Sequence, residues 1–194
     1  MNVLAIIKKS ITDLKGYWNI AILASLLMGL LPMTIQYNKT LGLLLVLLFS
    51  GALKAGVSKI SLLIVNKQKL EFLNIFDGFY MFKNALGVFL LSMVFIALGL
   101  ICFIVPGIII MIWLSQSFFI LIENPSLEPL EVFKKSKALI KGHELQFFVL
   151  IIIFSLLTVL LILSKLFILS LFISSIQYVV LANFYLNLKG NNND

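Results

Sequence analysis

Residues 84–122 form a stretch without a charged side chain, and this stretch limits the possible folds more than any other feature. As one α-helix it would be about 58 Å long, nearly twice the roughly 30 Å hydrocarbon core of a bilayer. We therefore expect the chain to reverse direction inside it. Pro106 and Gly107 mark the expected turn, because proline breaks the backbone hydrogen-bond ladder and glycine tolerates turn conformations.

The composition of the whole chain agrees with a membrane location. Of 194 residues, 61% are hydrophobic and 12% are charged, against about 45–50% and about 25% in soluble domains. So little charge cannot cover a globular surface in water, whereas a surface that faces lipid requires little. The length suits one domain over residues 1–194. The sequence therefore predicts an all-α polytopic membrane protein.

Six apolar stretches are long enough to span a bilayer, and they pair into three hairpins. The predicted spans are residues 17–35, 41–65, 84–105, 107–122, 145–163 and 167–187. Tyr17 and Trp18 open the first span as an interfacial aromatic pair. The second span is less purely apolar, because Lys54 and Lys59 lie inside it.

An amphipathic stretch precedes each predicted hairpin. Apolar side chains recur at helical spacing in all three, at Val3, Leu4, Ile7, Ile11 and Leu14; at Leu70, Leu73, Phe76 and Tyr80; and at Val132, Phe133, Leu139 and Ile140. Such helices usually lie in the membrane interface, with the apolar face against lipid or protein. In the third stretch we expect Ser126 to cap the helix and Gly142 to end it.

The lysines fall mainly on one side of the predicted membrane. Eleven lie outside the spans at the N-terminus, between the hairpins and at the C-terminus, namely Lys8, Lys9, Lys15, Lys67, Lys69, Lys83, Lys134, Lys135, Lys137, Lys141 and Lys189. Only Lys39 and Lys165 lie on the opposite side. Because cytoplasmic loops carry the excess of basic residues, we expect a protein of the cell membrane with both termini in the cytoplasm. Asp13 precedes the first apolar core, so no cleaved signal peptide is expected.

The net charge of +7 also indicates which partners to expect. All 15 basic residues are lysine, whereas nucleic-acid binders usually use arginine for bidentate contacts to bases and phosphates. These lysines flank apolar runs, as membrane-flanking charges do. We therefore expect the lipid bilayer, including anionic lipids, as the partner and no nucleic acid.

Two segments of the chain repeat a pattern. KKSITDLKG at residues 8–16 and KKSKALIKG at residues 134–142 both fit KKSxxxxKG, and each leads directly into a predicted span. Chance in a lysine-rich chain is one interpretation. The other is a unit of interfacial helix plus hairpin that occurs three times, with a diverged middle copy. Such units would share one membrane orientation, unlike the inverted repeats of many transporters.

Few side chains offer catalytic chemistry. His143 is the only histidine and lies at a predicted membrane boundary, and Cys102 is the only cysteine and lies in an apolar run. On different spans they form no dyad, and one cysteine excludes an intramolecular disulfide or a cysteine-based metal site. The chain has no HExxH, GxSxG or glycine-rich phosphate motif. We therefore expect no enzymatic activity, no cofactor and no metal.

Lys54 and Lys59 are the charged candidates for ligand or lipid contact inside a span. An ionised lysine near the bilayer centre costs about 2.5–3.5 kcal/mol. Lys59 lies about 10 Å from the cytoplasmic end of its helix and can snorkel, whereas Lys54 lies about 18 Å deep. Either the span breaks near Gly51 or Gly56 and both lysines reach water, or Lys54 binds an anionic lipid headgroup or substrate.

Gln116 and Gln177 are the uncharged candidates for the same role. Gln116 lies between two serines in the fourth span, and Gln177 lies near a pair of serines and a tyrosine in the sixth. Such groups either hydrogen-bond between helices or line a path for a polar substrate.

Several short motifs follow one another from about residue 70 onward. They are Phe76-Asp77-Gly78-Phe79, Val105-Pro106-Gly107-Ile108, Glu123-Asn124-Pro125, Ser136, Lys141-Gly142-His143 and Asn183-Phe184-Tyr185. In order and spacing they resemble a family of bacterial polytopic membrane proteins known as domain of unknown function 975. More distantly, they resemble the membrane domain attached to some glycerophosphodiester phosphodiesterases. The family usually has a tryptophan-rich fifth span, which this chain lacks. The resemblance implies a helical fold in a bacterial cell membrane and no established activity.

Three classes of function are compatible with these features. The first is a non-enzymatic protein of membrane homeostasis or of bacteriocin-type immunity to membrane-active peptides, which the small size and the interfacial helices favour. The second is a small transporter or permease component, which Lys54 favours and the lack of acidic residues within the spans disfavours. The third is a membrane module for a lipid-acting partner, as the phosphodiesterase resemblance implies. A membrane-active peptide or a transporter subunit is accordingly a possible partner.

Overall fold

The computed structural model describes residues 2–191 and is helical throughout. Its elements are α1 (Val3–Asp13), α2 (Trp18–Tyr37), α3 (Lys39–Val65), a 3₁₀ helix (Phe72–Met81), α4 (Phe82–Cys102), α5 (Ile104–Trp113), α6 (Ser117–Glu123), α7 (Pro129–Ile140), α8 (Glu144–Leu163) and α9 (Phe167–Asn191). No strand occurs within these residues. The predicted all-α fold is confirmed.

Six helices are long and apolar enough to cross a membrane. They are Trp18–Tyr37, Lys39–Val65, Phe72–Cys102, Ile104–Glu123, Glu144–Leu163 and Phe167–Gly190. The third includes the 3₁₀ helix as well as α4, and the fourth consists of α5 and α6 with a break between them. The chain is therefore a multi-pass membrane protein, as its composition predicted.

The reversal between α4 and α5 lies at Phe103, so its predicted position at Pro106 and Gly107 is wrong by three residues. Phe103 has extended backbone angles (φ −166°, ψ 157°). Pro106 lies in the first turn of α5, where a backbone N–H has no partner within the helix and its loss costs nothing. Gly107 allows close packing, because a Cβ there would lie 2.5 Å from a side-chain carbon of Leu100.

The second span is one unbroken helix, so the expected break near Gly51 or Gly56 is also wrong. Both glycines instead allow the backbone of a neighbouring helix to lie close to α3. A Cβ on Gly51 would lie 2.4 Å from the carbonyl oxygen of Ala85 in α4, and one on Gly56 would lie 1.7 Å from that of Ile75 in the 3₁₀ helix. These glycines therefore serve close packing rather than a change of helix direction.

The second span of each hairpin lies at the centre of the molecule. In the apolar stretch of each second span, 44% (α3), 39% (α5–α6) and 33% (α9) of the residues are buried. In the first spans the corresponding fractions are 17%, 22% and 17%. Helix α3 packs against both α6 and α9. Phe119 of α6 stacks on Tyr185 of α9, with ring centroids 5.2 Å apart. The three second spans thus form a core that α2, α4 and α8 surround.

The segments that precede the hairpins, α1, the 3₁₀ helix and α7, are called the collar here. Each packs against the second span of the hairpin before it in a cyclic order: α1 on α9, the 3₁₀ helix on α3, and α7 on α5 and α6. Because each collar segment leads into an odd-numbered membrane helix, all three lie at the same end of the bundle. The fold is therefore a cyclic arrangement of three similar units.

The first and third units match closely along the chain. A shift of 126 residues moves Trp18–Tyr37 onto Glu144–Leu163, and it moves the start of α1 onto the start of α7. Gly16 and Gly142, which close the two KKSxxxxKG segments, both have positive φ, 91° and 85°. The two segments are therefore equivalent helices that end in the same turn, which favours the repeat over chance.

In α7 the predicted apolar face packs against protein. Val132, Phe133 and Ile140 are buried, and Gly142 follows the end of the helix as expected. The predicted cap at Ser126 is wrong, because α7 begins at Pro129. Proline suits the first position of a helix, where its fixed φ is already helical and no N–H is needed.

In the other two collar segments the predicted apolar faces point outward in part. In α1, Leu4 and Ile11 of the predicted face are exposed, whereas Leu14 is buried as predicted. Ile6, Ser10 and Asp13, which were not part of that face, are buried as well. In the second segment Leu73, Phe76 and Tyr80 are exposed while Ile75 is buried. Exposed apolar side chains at this end of a membrane protein are available to contact lipid.

Candidate functional site

Helix α1 is fixed to α9 by a buried polar cluster around Asn183. Asn183 is fully buried. Its Nδ2 donates to Ser10 Oγ at 3.0 Å and to Asp13 Oδ2 at 2.9 Å, and its Oδ1 accepts from Lys9 Nζ. Lys9 Nζ also lies 3.6 Å from Asp13 Oδ2. A buried amide whose donors and acceptor are satisfied in this way sets the position of one helix on the other.

Helix α7 is fixed to the fourth span by Ser136, at the break between α5 and α6. The hydroxyl of Ser136 donates to the carbonyl oxygen of Trp113 at 2.6 Å and accepts from the backbone N–H of Gln116 at 3.1 Å. Breaks in a helix free backbone groups that must find partners. One hydroxyl from the collar satisfies a donor and an acceptor at this break.

The 3₁₀ helix is fixed to α3 by an ion pair. Lys59 Nζ lies 2.6 Å from Asp77 Oδ2, and Asp77 also accepts a hydrogen bond from Asn74 at 2.9 Å. Lys59 therefore has a carboxylate partner in the collar, in addition to any water that it reaches by snorkelling. All three collar segments are thus joined to a second span through polar side chains.

Lys54 lies in the continuous helix α3, and its ammonium group lies near two aromatic rings. Its Nζ is 5.1 Å from the ring centroid of Phe89 and 5.9 Å from that of Phe118, and its side chain is exposed at the surface of the bundle. No carboxylate of the described residues forms an ion pair with it. Aromatic faces attract the ammonium group electrostatically, which offsets part of the cost of placing it there.

Gln116 and Gln177, the two uncharged candidates, lie on different spans. Gln116 is fully buried, and its Nε2 donates to Ser115 Oγ at 2.8 Å. Its Oε1 has no hydrogen-bond partner in the described part of the chain. Gln177 is half-buried on α9. Lys54, Lys59 and Gln116 thus have different partners. The path for a polar substrate at Gln116 and Gln177 stays a prediction.

His143 and Cys102 also lie apart. His143 Nδ1 is 3.2 Å from Gln146 Oε1 at the start of α8, and Cys102 is exposed at the end of α4. Within residues 2–191 no three metal-ligating side chains come together.

Of the residues that hold the collar, Lys59 alone was assigned a role from the sequence, as a candidate for ligand or lipid contact. Ser136 and Asn183 were noted only within the resemblance motifs. A usable signal was present, because Ser10 and Ser136 occupy the same position of KKSxxxxKG and both are fully buried. A serine shared by two lysine-rich amphipathic helices indicates a contact on the side that faces the protein.

A basic groove lies where α7 crosses α4 and α5, and sequence reasoning did not single it out. Two adjoining cavities of about 310 Å³ and 400 Å³ share Trp113, Lys134 and Lys137 in their walls. The Nζ of Lys137 lies 3.8 Å from the centroid of the Trp113 ring. This arrangement combines fixed positive charge with an apolar wall.

A larger groove of about 560 Å³ lies at the other end of the bundle, between α2, α8 and α9. Its walls are mainly apolar, with Ser170, Ser174 and Tyr178 as polar exceptions. Ser25, which also lines it, forms a 2.9 Å hydrogen bond with Ser175 across the α2–α9 contact. The serine pair joins two helices, as polar groups within membranes commonly do.

Comparisons of the chain with protein-family models, with curated proteins and with solved structures found no match. The resemblance to domain of unknown function 975 therefore stays a prediction. Function has to be inferred from the contacts and charges described above.

Proposed function

We propose that this chain is a non-enzymatic protein of a bacterial cell membrane that protects the cytoplasmic leaflet, as a factor of membrane homeostasis and of immunity to membrane-active peptides. The observation that carries the proposal is the collar. Its inner face is tied to the second spans by Ser136, Asn183 and the Lys59–Asp77 pair, and its outer face is free to contact lipid.

The outer face of the collar combines positive charge with apolar side chains. The exposed lysines of α1 and α7 that have no carboxylate partner among the described residues are Lys8, Lys134, Lys135 and Lys137. The exposed apolar side chains of the collar include Leu4, Ile11, Leu73, Phe76 and Leu130. This combination is typical of helices that lie in the plane of a membrane interface and attract anionic lipids.

The lysine distribution supports a cytoplasmic position for the collar and for both termini. Reporter fusions after residues 38, 66, 103, 124 and 164 should alternate between outside and inside, starting outside. A sixth fusion at residue 194, which lies outside the described residues, should report inside. A reporter signal from the outer side at residue 66 or 124 would contradict this orientation.

The proposed protection follows from competition for anionic headgroups. Cationic membrane-active peptides bind first to anionic lipid through charge and then insert their apolar face. A collar that is rigidly attached to six spans pays no cost of folding on the membrane, and it occupies the same headgroups with its lysines. Peptide would then meet fewer free anionic lipids near the protein.

The experiment is a depolarisation assay in bacteria that express the protein. Cells are exposed to a cationic pore-forming peptide, and the concentration that half-depolarises the membrane is measured. Expression of the wild type should raise that concentration severalfold over an unrelated six-span protein at equal yield. A variant in which Lys8, Lys15 and Lys135 become Gln should protect less. Equal sensitivity of wild-type and control cells would reject the proposal.

The other two functions have weaker support. A small transporter or permease component would need a path between its spans, yet α3, α6 and α9 contact one another directly at the centre. A membrane module for a lipid-acting partner rests on the phosphodiesterase resemblance alone.

A further inference from the structure

The three seams between neighbouring hairpins are packed very differently. Helices α3 and α4 pack closely, as do α2 and α9, whereas α5 and α8 touch only lightly. The α5–α8 seam instead contains an apolar groove of about 390 Å³, lined by Ile108, Ile112 and Phe148 among others. Apolar surface is therefore open to a ligand from the side of the bundle at this seam.

The mouth of this seam is basic. Lys134, Lys137 and Lys141 follow one another at helical spacing, on one face of α7 and at its end, and all three line the 400 Å³ cavity with Trp113. The cation–π contact at 3.8 Å holds the ammonium of Lys137 over the indole ring. Three positive charges are thus presented on one rigid edge.

The charges of these lysines are not neutralised by the protein. Glu144 is the acidic residue in the cavity wall, and its Oε2 accepts a 2.7 Å hydrogen bond from the backbone N–H of Gly142. In the described part of the chain, no carboxylate forms an ion pair with Lys134, Lys137 or Lys141. By contrast, Lys59 and Lys189 both have carboxylate partners within 2.7 Å. The mouth therefore favours an anion.

An apolar wall continues from the basic mouth toward the bundle. The adjoining 310 Å³ cavity is lined by Phe95 of α4, Ile110 of α5, Leu114 directly after α5, and Phe133 of α7. Lys134 and Lys137 lie beside them. The rings of Phe95 and Phe133 pack edge to face with centroids 5.8 Å apart, and this contact holds both side chains in the cavity wall. A molecule that fits both parts has an anionic head and a hydrocarbon tail.

We propose that the groove between α4, α5 and α7 binds one anionic phospholipid. Its phosphate lies against Lys134, Lys137 and Lys141, and an acyl chain follows the wall of Phe95 and Leu114. Basic pockets between helices at the cytoplasmic side are the expected place for such headgroups. The proposal deepens the proposed function and rests on it only for the position of α7 at the cytoplasmic leaflet.

The experiment uses quenching of Trp113 fluorescence by lipid with brominated acyl chains. The full chain carries two tryptophans, Trp18 and Trp113, so a Trp18→Phe background isolates the signal at the groove. The purified protein in mixed micelles is titrated with brominated phosphatidylglycerol or with brominated phosphatidylcholine. The anionic lipid should quench at a much lower mole fraction than the zwitterionic one.

Substitutions of the lysines test the recognition of charge. Lys137→Gln should reduce the preference for phosphatidylglycerol about fivefold, and the Gln variant of all three groove lysines should abolish it. Lys137→Arg should retain the preference. The matched control is the Gln variant of Lys39, Lys67 and Lys165, which removes the same charge from exposed positions outside both the collar and the groove.

Three results would overturn the proposal: equal quenching by both lipids in the Trp18→Phe protein, an equal loss in the control variant, or a loss in Lys137→Arg as large as in Lys137→Gln. The assay contains no peptide. Failure of the protection assay therefore leaves this result unaffected, and failure of lipid selectivity leaves protection to be explained by the outer face of the collar.

Discussion

The seam between the first two hairpins is closed by glycine, whereas the seam between the second and third is open. At the first, the backbone of α3 lies against that of α4 and of the 3₁₀ helix at Gly51 and Gly56. At the second, α5 and α8 present Ile108, Ile112 and Phe148 to one another across a groove. Membrane helices approach closely where their side chains are small. The difference shows that similar units can form a tight contact or a lipid-sized opening, depending on a few side-chain volumes.

The closed seam is the more sensitive to change, and Gly56→Ala should have the largest effect. The new Cβ would lie 1.7 Å from the carbonyl oxygen of Ile75, and backbone atoms cannot move aside as a flexible side chain can. Overpacking of this kind costs about 3 kcal/mol or more where relaxation is blocked. We expect low yield and a lower unfolding temperature in a thermal-shift measurement.

Gly29→Ala is the matched control, because a Cβ on Gly29 meets nothing within 4 Å. Gly29 lies inside α2, where alanine is the better helix former by about 0.5–1 kcal/mol. The same one-carbon addition should therefore leave stability unchanged or raise it. Equal losses in the two variants would mean that membrane insertion, and not contact with the 3₁₀ helix, limits stability.

The next largest effect is expected at Ser136 of α7, which fixes this helix to the middle hairpin. Ser136→Ala removes the partner of one backbone carbonyl and one backbone N–H at the break in the fourth span. Leaving buried polar groups unsatisfied costs about 1–3 kcal/mol.

Ser10→Ala changes the equivalent residue of the first unit and should cost less. Asn183 would lose its bond to Ser10 but keep its bond to Asp13. Unfolding in denaturant would rank the two variants. A larger loss for Ser10→Ala would show that the α1–α9 cluster, and not the break, is the critical collar contact.

The fold could largely be predicted from the sequence, because the bilayer imposes a length and a polarity that apolar runs reveal directly. Helix breaks were less predictable. Pro106 and Gly107 were taken for the turn, yet proline suits the first turn of α5 and glycine suits the contact with Leu100. Gly56 was considered as a break, yet its lack of a side chain serves packing. The same residue types support both outcomes, and only tertiary contacts decide between them.

The candidate sites were harder to predict for a related reason. Lys59 could be seen as a charge in a span, but its partner Asp77 lies in a segment whose path depends on Gly56 and Gly78. The groove lysines were visible as the polar face of α7, but Trp113 comes from another helix. Periodicity indicates which face of a helix is polar, and it does not show which helix lies opposite.

Lys54 tests whether positive charge beside the closed seam has a role of its own. Lys54→Leu loses the cation–π contacts with Phe89 and Phe118, worth about 0.5–1 kcal/mol, and it gains from easier membrane insertion. We expect normal yield, an unfolding free energy within about 1 kcal/mol of the wild type, and full protection in the depolarisation assay. A well-folded variant that fails to protect would instead identify Lys54 as a site for an anionic ligand.

The smallest effect on stability is expected at the open seam, even from a substitution that adds more atoms than Gly56→Ala does. Ala138 is exposed on α7 and lines the basic mouth beside Trp113. Ala138→Leu adds three carbons where Gly56→Ala adds one, yet no backbone lies in the way, and leucine is a good helix former. The unfolding free energy should therefore change by no more than about 0.5 kcal/mol.

The leucine side chain of this variant should also fill part of the mouth and reduce quenching of Trp113 by brominated phosphatidylglycerol. A large loss of stability would mean that α7 packs closely against its neighbours at this mouth, and the contrast between the two seams would then disappear.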